Sequence, residues 1–266
     1  PMLFAAYAKG YQEHYNLTPD ELRKMFAHVS AFCYKNALEN PLAHFGKGSP
    51  QDKLGLQTAE AILNLPGTGK GSNPMVAPPL RLHDCSLVTD GAAALVLTRT
   101  DEAKSISNKA VEIAGIGQAT ERLQEKVRPN MHELMAGKVA VQRSFEEAGI
   151  TINDLDFAEV HDCFTINQIL CTEALGLSED GRGGWDYVDG KYTPEDTCPI
   201  NLSGGLKAKG HPVGATGASM HALAYKQLVG EPIGLAPKKG TPEIGVAFNV
   251  GGSAATNCVT TLRRIK

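Results

Sequence analysis

The chain has 266 residues, 42% hydrophobic and 21% charged. This is ordinary globular composition, long enough to bury a sizeable core in one or two domains. A formal net charge of −3 gives no electrostatic case for a nucleic-acid partner, and no apolar run approaches the ~20 residues of a membrane helix. The six cysteines, Cys33, Cys85, Cys163, Cys171, Cys198 and Cys258, are dispersed, with no Cys-x-x-Cys pair. That spacing argues against a disulfide framework or a zinc site and favours reduced thiols in a cytosol-like compartment. A cytoplasmic location is expected, with organelle targeting left open, because no charged-then-apolar leader precedes a small-residue cleavage site. The chain starts at Pro1 rather than methionine, which reads as one piece of a longer chain or as a chain whose beginning is not shown.

Met2, Phe4, Tyr7, Ala8 and Tyr11 repeat at helical spacing. Thr18-Pro19-Asp20-Glu21 is a helix start, with an N-cap hydroxyl, proline at N1 and acids in the first turn. This helix is expected to run to about Leu38 and stop before Asn40-Pro41. Residues 46–79, rich in Gly, Pro, Ser and Lys, read as surface loop broken by a short helix around Thr58–Leu63. Asp90-Gly91 followed by Ala92-Ala93-Ala94-Leu95-Val96-Leu97 suggests a tight contact and then a buried strand. Lys109–Ala119 contains another apolar strand. An amphipathic helix is expected over Asn130–Ala148, a short strand over Leu155–Val160 and a helix over Thr165–Leu175. Gly181–Pro199 is a polar excursion with the only tryptophan, Trp185. A glycine-rich turn, a long helix over Ala215–Val229 and two strands, Glu243–Val250 and Ala254–Leu262, complete the chain. Alternating strands and helices mean an α/β fold with covered sheet faces.

Three segments carry candidate chemistry. Glu159-Val160-His161-Asp162-Cys163-Phe164-Thr165 lies between a strand and a helix, where side chains and free N–H groups share a small space. Taken alone, His-x-Cys fits packing or turn chemistry at least as well as a site. The second runs from Asn201 through Gly204-Gly205 to Gly210-His211-Pro212 and Gly217. Its glycines allow close backbone approach, and Pro212 stiffens the turn after His211. A histidine held there suits a base or a hydrogen-bond donor. A phosphate cradle is the rival, but the Gly-Lys-[Ser/Thr] order of a P-loop is absent. A plain loop of tight turns also fits. The third, Phe248-Asn249-Val250-Gly251-Gly252-Ser253-Ala254, could expose a backbone N–H to an oxyanion or be an ordinary turn.

Together and in this order, the three segments resemble the catalytic loops of the thiolase superfamily. They are most similar to the sterol-carrier-protein-type thiolases, in which His-Asp-Cys-Phe replaces the Asn-Glu-Ala-Phe of ordinary thiolases. Here the motif is His161-Asp162-Cys163-Phe164, and the Gly-His-Pro motif is Gly210-His211-Pro212. Asp84–Ala94 resembles a further family segment. The resemblance implies a layered α/β/α fold of two similar halves with a helical loop domain. Residues 1–80 would be the loop domain receiving coenzyme A, 81–108 the last part of the N-terminal half, and 109–266 the C-terminal half with a five-stranded mixed sheet.

The resemblance also implies roles. His211 would activate a nucleophilic cysteine, and Cys163 would shuttle the α-carbon proton. His161 and His211 would hydrogen-bond the enolate oxygen, and the Gly251 N–H would join the other oxyanion hole. Met2, Ser86 and Phe164 would line the pantetheine tunnel, and Asp162 would order the loop backbone. Two departures matter. Asparagine, Asn249, stands where ordinary thiolases have the cysteine of Cys-x-Gly. The nucleophilic cysteine itself belongs to a family segment that would precede Pro1. The expected activity is reversible Claisen chemistry on 3-ketoacyl-CoA through an acyl-cysteine. It needs no metal and no cofactor, because the CoA thioesters are substrates. Expected partners are acyl-CoA, CoA, the N-terminal segment with the nucleophile, a second copy in a homo-oligomer and, as an open case, a synthase-type protein. No nucleic-acid or membrane partner is expected. The rival readings are a carbon–carbon lyase of the same fold, whose family carries tyrosines at the matching loops, and a noncatalytic acyl-CoA- or lipid-binding subunit.

Overall fold

The computed structural model describes residues 1–124 and 128–265. The first eighty residues hold four helices, α1 (Met2–His14), α2 (Pro19–Ala37), α3 (Pro50–Lys53) and α4 (Ala59–Leu63), and a small hairpin, β1 (Met75–Ala77) with β2 (Leu80–Arg81). There follow α5 (Thr100–Ile106), β3 (Val111–Thr120), α6 (Met135–Ala148), β4 (Phe157–Val160), α7 (Thr165–Leu175), α8 (Gly183–Val188), α9 (Gly205–Lys209), α10 (Thr216–Leu228), β5 (Ile244–Gly251) and β6 (Thr256–Arg264).

Helix α2 begins as its sequence dictates. The Thr18 hydroxyl accepts from the Glu21 N–H at 3.2 Å, and the Glu21 carboxylate accepts from the Thr18 N–H at 2.8 Å. This reciprocal capping box satisfies donors that the first helical turn leaves free. Leu22, Met25, Phe26, Val29, Cys33 and Tyr34 form its buried stripe, and the helix packs against α4, α7, α8 and α9.

The main sheet has the order β3-β6-β5-β4, with β4 and β5 parallel and the other pairs antiparallel. Side chains alternate between its faces. Ala158 and Val160 of β4, with Val246, Phe248 and Val250 of β5, enter the large core beneath α6 and α7. Phe157 on the opposite face packs with Ala224 and Leu228 of α10. Glu159, His161 and Asn249 therefore share the α10 face. Close approach of α6 to β3 requires glycine. A Cβ at Gly117 would lie 1.8 Å from the Ala140 oxygen, and one at Gly115 would lie 2.1 Å from the Ser144 oxygen.

Three sequence expectations are corrected. Ala92–Leu97 is not a buried strand. Among the described residues no strand pairs with it, and Val96 is 98% exposed, so the apolar run has no sheet to join. Among the described residues the main sheet has four strands rather than five. In the fifth place stands a single parallel bridge between Ala158 and Ile200. Asn201 follows it in the left-handed region (φ 46°), and its side-chain oxygen accepts the Val160 N–H at 2.8 Å, so the chain turns away after one bridge. Helix α6 starts at Met135 rather than Asn130, whose side chain is tied to Glu133. The excursion after Gly181 also contains α8, which its two leading glycines hid.

One buried carboxylate makes the fold sensitive to pH. Glu173 on α7 accepts on Oε1 from the Tyr11 hydroxyl (2.6 Å) and the Gly183 N–H (2.9 Å), while its Oε2 is buried without a partner. Burial pushes this carboxyl up to about 7, against hydrogen bonds that pull it down. A carboxyl raised in the fold binds its proton more tightly there than in the unfolded chain. The associated stability is complete below the unfolded value of 4.5 and is lost as pH rises toward 7. Glu173→Gln keeps the Oε1 acceptor and removes the titration. Between pH 5 and pH 8 we expect the stability difference to move in favour of the variant by up to about 3 kcal/mol, read by chemical denaturation at both pH values. An unchanged difference would mean that Glu173 stays ionised throughout.

Candidate active site

The strand β4 delivers His161. Its N–H donates to the Phe248 carbonyl at 2.9 Å, one step beyond the last β4–β5 pair, and its own carbonyl accepts from the Asn167 side chain. The His161 backbone is therefore held by the sheet on one side and α7 on the other. His211 arrives from the glycine loop between α9 and α10. Its N–H donates to the Thr89 hydroxyl at 2.8 Å, and Val88 bridges to it in parallel. The two imidazoles meet edge to face, with centroids 5.2 Å apart and planes at 88°.

Asp162 joins the two loops. Its carboxylate accepts from the Leu206 N–H (2.6 Å) and the Lys207 N–H (3.2 Å) at the start of α9. The Cys33 sulfur lies 3.6 Å from it and 3.1 Å from Gln168 Oε1, which share one thiol proton. A Cβ on Gly205 would fall 2.1 Å from the Asp162 carboxylate, and Gly205 has a φ of +63°, so this loop tolerates only glycine there. Burial raises the Asp162 carboxyl, while the two backbone donors act against that shift. The loop-ordering role expected of Asp162 is the geometry observed.

Each imidazole has its own partner on Nδ1. For His161 it is the Asn249 side-chain oxygen at 2.7 Å; for His211 it is the Thr216 hydroxyl at 2.7 Å. Burial drives the His161 pKa down to about 3, with Asn249 opposing and the charges of His211 and Lys209 adding to the depression. His211 is lowered by burial and then by Lys209. Both shifts favour the neutral ring, and because the Asn249 oxygen can only accept, His161 carries its proton on Nδ1. Beneath them Glu159, buried, accepts from the Ser203 hydroxyl at 2.9 Å and is raised by desolvation to about 7.

The other expected site residues lie in separate settings. Cys163 is buried, and its carbonyl accepts the Ser86 N–H at 2.8 Å. Burial pushes its thiol up, with Asp162, Cys171 and Cys85 adding to the shift. Phe164 stacks on Phe4 at 4.7 Å, whereas Met2 is 74% exposed at the start of α1. The α1 side chain against Phe164 is thus Phe4. Gly251 ends β5 opposite Thr256, exposed, on the same strand face as Asn249, with open space where a Cβ would be. A cleft of ≈ 480 Å³ flanks the Gly-His-Pro loop, lined by Thr89–Ala93 and Pro212–Ala215. Among the described residues no group of three or more His, Cys, Asp or Glu is placed to hold a metal ion, and no helix is long and apolar enough to cross a membrane.

Sequence reasoning treated Asn249 chiefly as a departure and gave Thr216, Thr89 and Lys209 no role of their own. Asn249 lies 88 residues from His161, so only strand pairing reveals the contact. Its charge state is testable. Asn249→Asp places a carboxylate against Nδ1, which favours the imidazolium. We expect the His161 pKa, followed by imidazole NMR, to rise by about 1–3 units. No change would mean that Nδ1 faces another partner.

Residues 117–264 match the family model described as Thiolase C-terminal domain-like. An acetyl-CoA acetyltransferase of Methanothermobacter thermautotrophicus is 38% identical over 97% of this chain and 62% of that protein. Sterol carrier protein 2 of Oryctolagus cuniculus is 32% identical over 96% of this chain and 44% of its own length. The chain thus spans less than two thirds of these relatives. Among solved structures the Ltp2-ChsH2(DUF35) aldolase superposes with a TM-score of 0.79 at 19% identity, covering 98% of this chain and 63% of that one, a likeness of fold. The family match extends over more than half of the residues and takes in both histidine loops and the β5–β6 hairpin: the chain belongs to the thiolase family.

Proposed function

We propose that the chain is the greater part of a thiolase-type acyl-CoA acyltransferase that condenses acetyl-CoA with an acyl group or cleaves 3-ketoacyl-CoA with CoA. The observation that carries this reading is the edge-to-face meeting of His161 and His211. In the proposed cycle a cysteine thiol gives its proton to His211, its sulfur forms the new thioester as the acyl–sulfur bond to CoA breaks, and the CoA thiolate leaves and takes a proton from solvent, so that His211 stays protonated. The protonated His211 donates to the thioester oxygen as the enolate forms, joined by His161 once the Asn249 amide turns to donate to Nδ1 and leaves the His161 proton on Nε2, and the Gly251 N–H serves the other oxyanion. One such donor is worth about 3–4 kcal/mol of barrier. Cys163 exchanges the α-carbon proton. Its raised thiol suits the delivery of that proton in thiolysis and makes its thiolate a strong base in the reverse direction.

The nucleophile is assigned to a segment outside these 266 residues. A thiol nucleophile needs a depressed pKa, whereas burial raises all six cysteines here, Cys85 to about 11 and Cys198 to about 12. CoA thioesters enter as substrates across residues 1–80, with Ser86 and Phe164 near the reacting end and Met2 at the rim. The thioester itself acidifies the α-carbon, so no metal or flavin is assigned. A homo-oligomer and a synthase-type partner belong to the same reading. Retention of both histidines favours acyl transfer over lyase chemistry.

Labelled acyl-CoA followed by peptide mapping tests this. The 266-residue chain alone should take no label. Joined to or co-expressed with a segment supplying the nucleophile, it should acylate there. His211→Ala should abolish acylation, and Cys163→Ala should spare acylation but stop α-proton exchange in acetyl-CoA, a loss on the order of 100-fold or more. Label on Cys163 with turnover would overturn the division of roles.

A further inference from the structure

The deepest polar contact of the His211 ring is with Thr216, and its importance rests on His211 acting as the proposed base. Thr216 opens α10 and is 1% exposed, so its hydroxyl has no water to bond. Two partners surround it. The His211 Nδ1 lies 2.7 Å away and the Pro212 carbonyl oxygen 2.9 Å away. One hydroxyl proton serves only one of them. If it pointed to Nδ1, two oxygens would face each other at 2.9 Å with no proton between them, which is repulsive. If it points to the Pro212 carbonyl, Nδ1–H donates to the hydroxyl oxygen, and the two bonds run head to tail and polarise each other. The Pro212 carbonyl also receives the Ala215 and Thr216 N–H groups at 2.8 and 2.9 Å, which concentrates donors on it and fixes its direction.

We propose that Thr216 is a positioning residue that holds His211 as the Nδ1–H tautomer, leaving the Nε2 lone pair as the base. When Nε2 takes a proton from a thiol, the imidazolium needs an acceptor on Nδ1, and the same hydroxyl oxygen is already there. This matters because the surroundings oppose a cation. Burial and Lys209 both lower the His211 pKa, and the N-terminal end of α10 adds partial positive charge. Thr216 supplies the contact on the buried side of the ring that favours the charged form. The arrangement also accounts for the short reach. His211 and Thr216 are five residues apart, and the turn through Pro212 and Gly214 folds the ring back over the first turn of α10.

The test separates this role from the function proposed above. In the 266-residue chain labelled with ¹⁵N, long-range imidazole correlations report which ring nitrogen bears the proton. The parent should show protonated Nδ1 and bare Nε2 at His211, and Thr216→Ser, which keeps the hydroxyl, should show the same. Thr216→Val, of nearly equal shape, should shift His211 toward the Nε2–H form, with the His161 signals and the circular dichroism unchanged. A parent His211 in the Nε2–H form, or a valine variant with the parent tautomer, overturns the proposal whether or not the chain takes part in acyl transfer. In the active enzyme that includes the nucleophile, Thr216→Val should lower kcat on the order of 10-fold with KM unchanged, and serine should restore most of the loss. A valine variant with parental kcat overturns it as well. Absence of any acyl transfer in the parent enzyme would count against the function alone and leave the tautomer result standing.

Discussion

The site depends on one buried carboxylate. Asp162 neighbours His161 in sequence, and its oxygens accept the N–H groups of Leu206 and Lys207, five and four residues before His211. It thereby ties the loop after β4 to the loop before α10. A helix as short as α9 has no stability of its own in water. Its first N–H groups need an acceptor, and a buried anion there receives two charge-assisted bonds. The cost is the desolvation that raises the Asp162 carboxyl. What is gained is a fixed distance between two imidazoles that come from segments fifty residues apart in the chain.

The rest of the geometry follows from strand parity. Because β4 alternates, Phe157, Glu159 and His161 point toward α10, while Ala158 and Val160 point into the core beneath α6 and α7. The paired strand β5 sends Asn249 to the same side as His161. Glycine makes room where that face is crowded. A Cβ on Gly245 would fall 2.2 Å from the Phe157 ring, and one on Gly217 would meet the Asn249 amide at 3.1 Å. A one-residue slip of β4 against β5 would turn His161 into the core and Val160 into the site.

Much of this was legible in the sequence where the signal is local. The helix start at Thr18-Pro19, the helix over Thr165–Leu175 and the two strands around Gly251-Gly252 are written in spacing and turn residues, and all three stand in the structure. The order of the histidine loops carried the family. What was not legible is non-local. Nothing near Ala92–Leu97 says whether an apolar run has a strand to pair with, and Asn201 ends the fifth strand by a left-handed turn that its own side chain supports. The partners of the imidazoles are of the same kind. Asn249 meets His161 through sheet register, and Thr216 meets His211 only because the Pro212 turn reverses the chain. Helix α8 begins with two glycines, and packing rather than propensity forms it: a Cβ on Gly184 would strike Met25 at 2.5 Å.

The glycines of β3 reach further than the helix they admit. With no Cβ at Gly115 and Gly117, α6 rests backbone to backbone on the strand, so its height above the sheet is set by atoms that cannot rotate away. The same helix carries Gly137, where a Cβ would lie 2.9 Å from the Phe248 ring, and the Phe248 carbonyl is the one that holds the His161 N–H. The contact at β3 and the imidazole are thus opposite ends of a stiff lever with its fulcrum on β5. A single methyl group added at the outer edge of the sheet would lift α6, free the Phe248 ring and loosen the aim of a histidine it never touches.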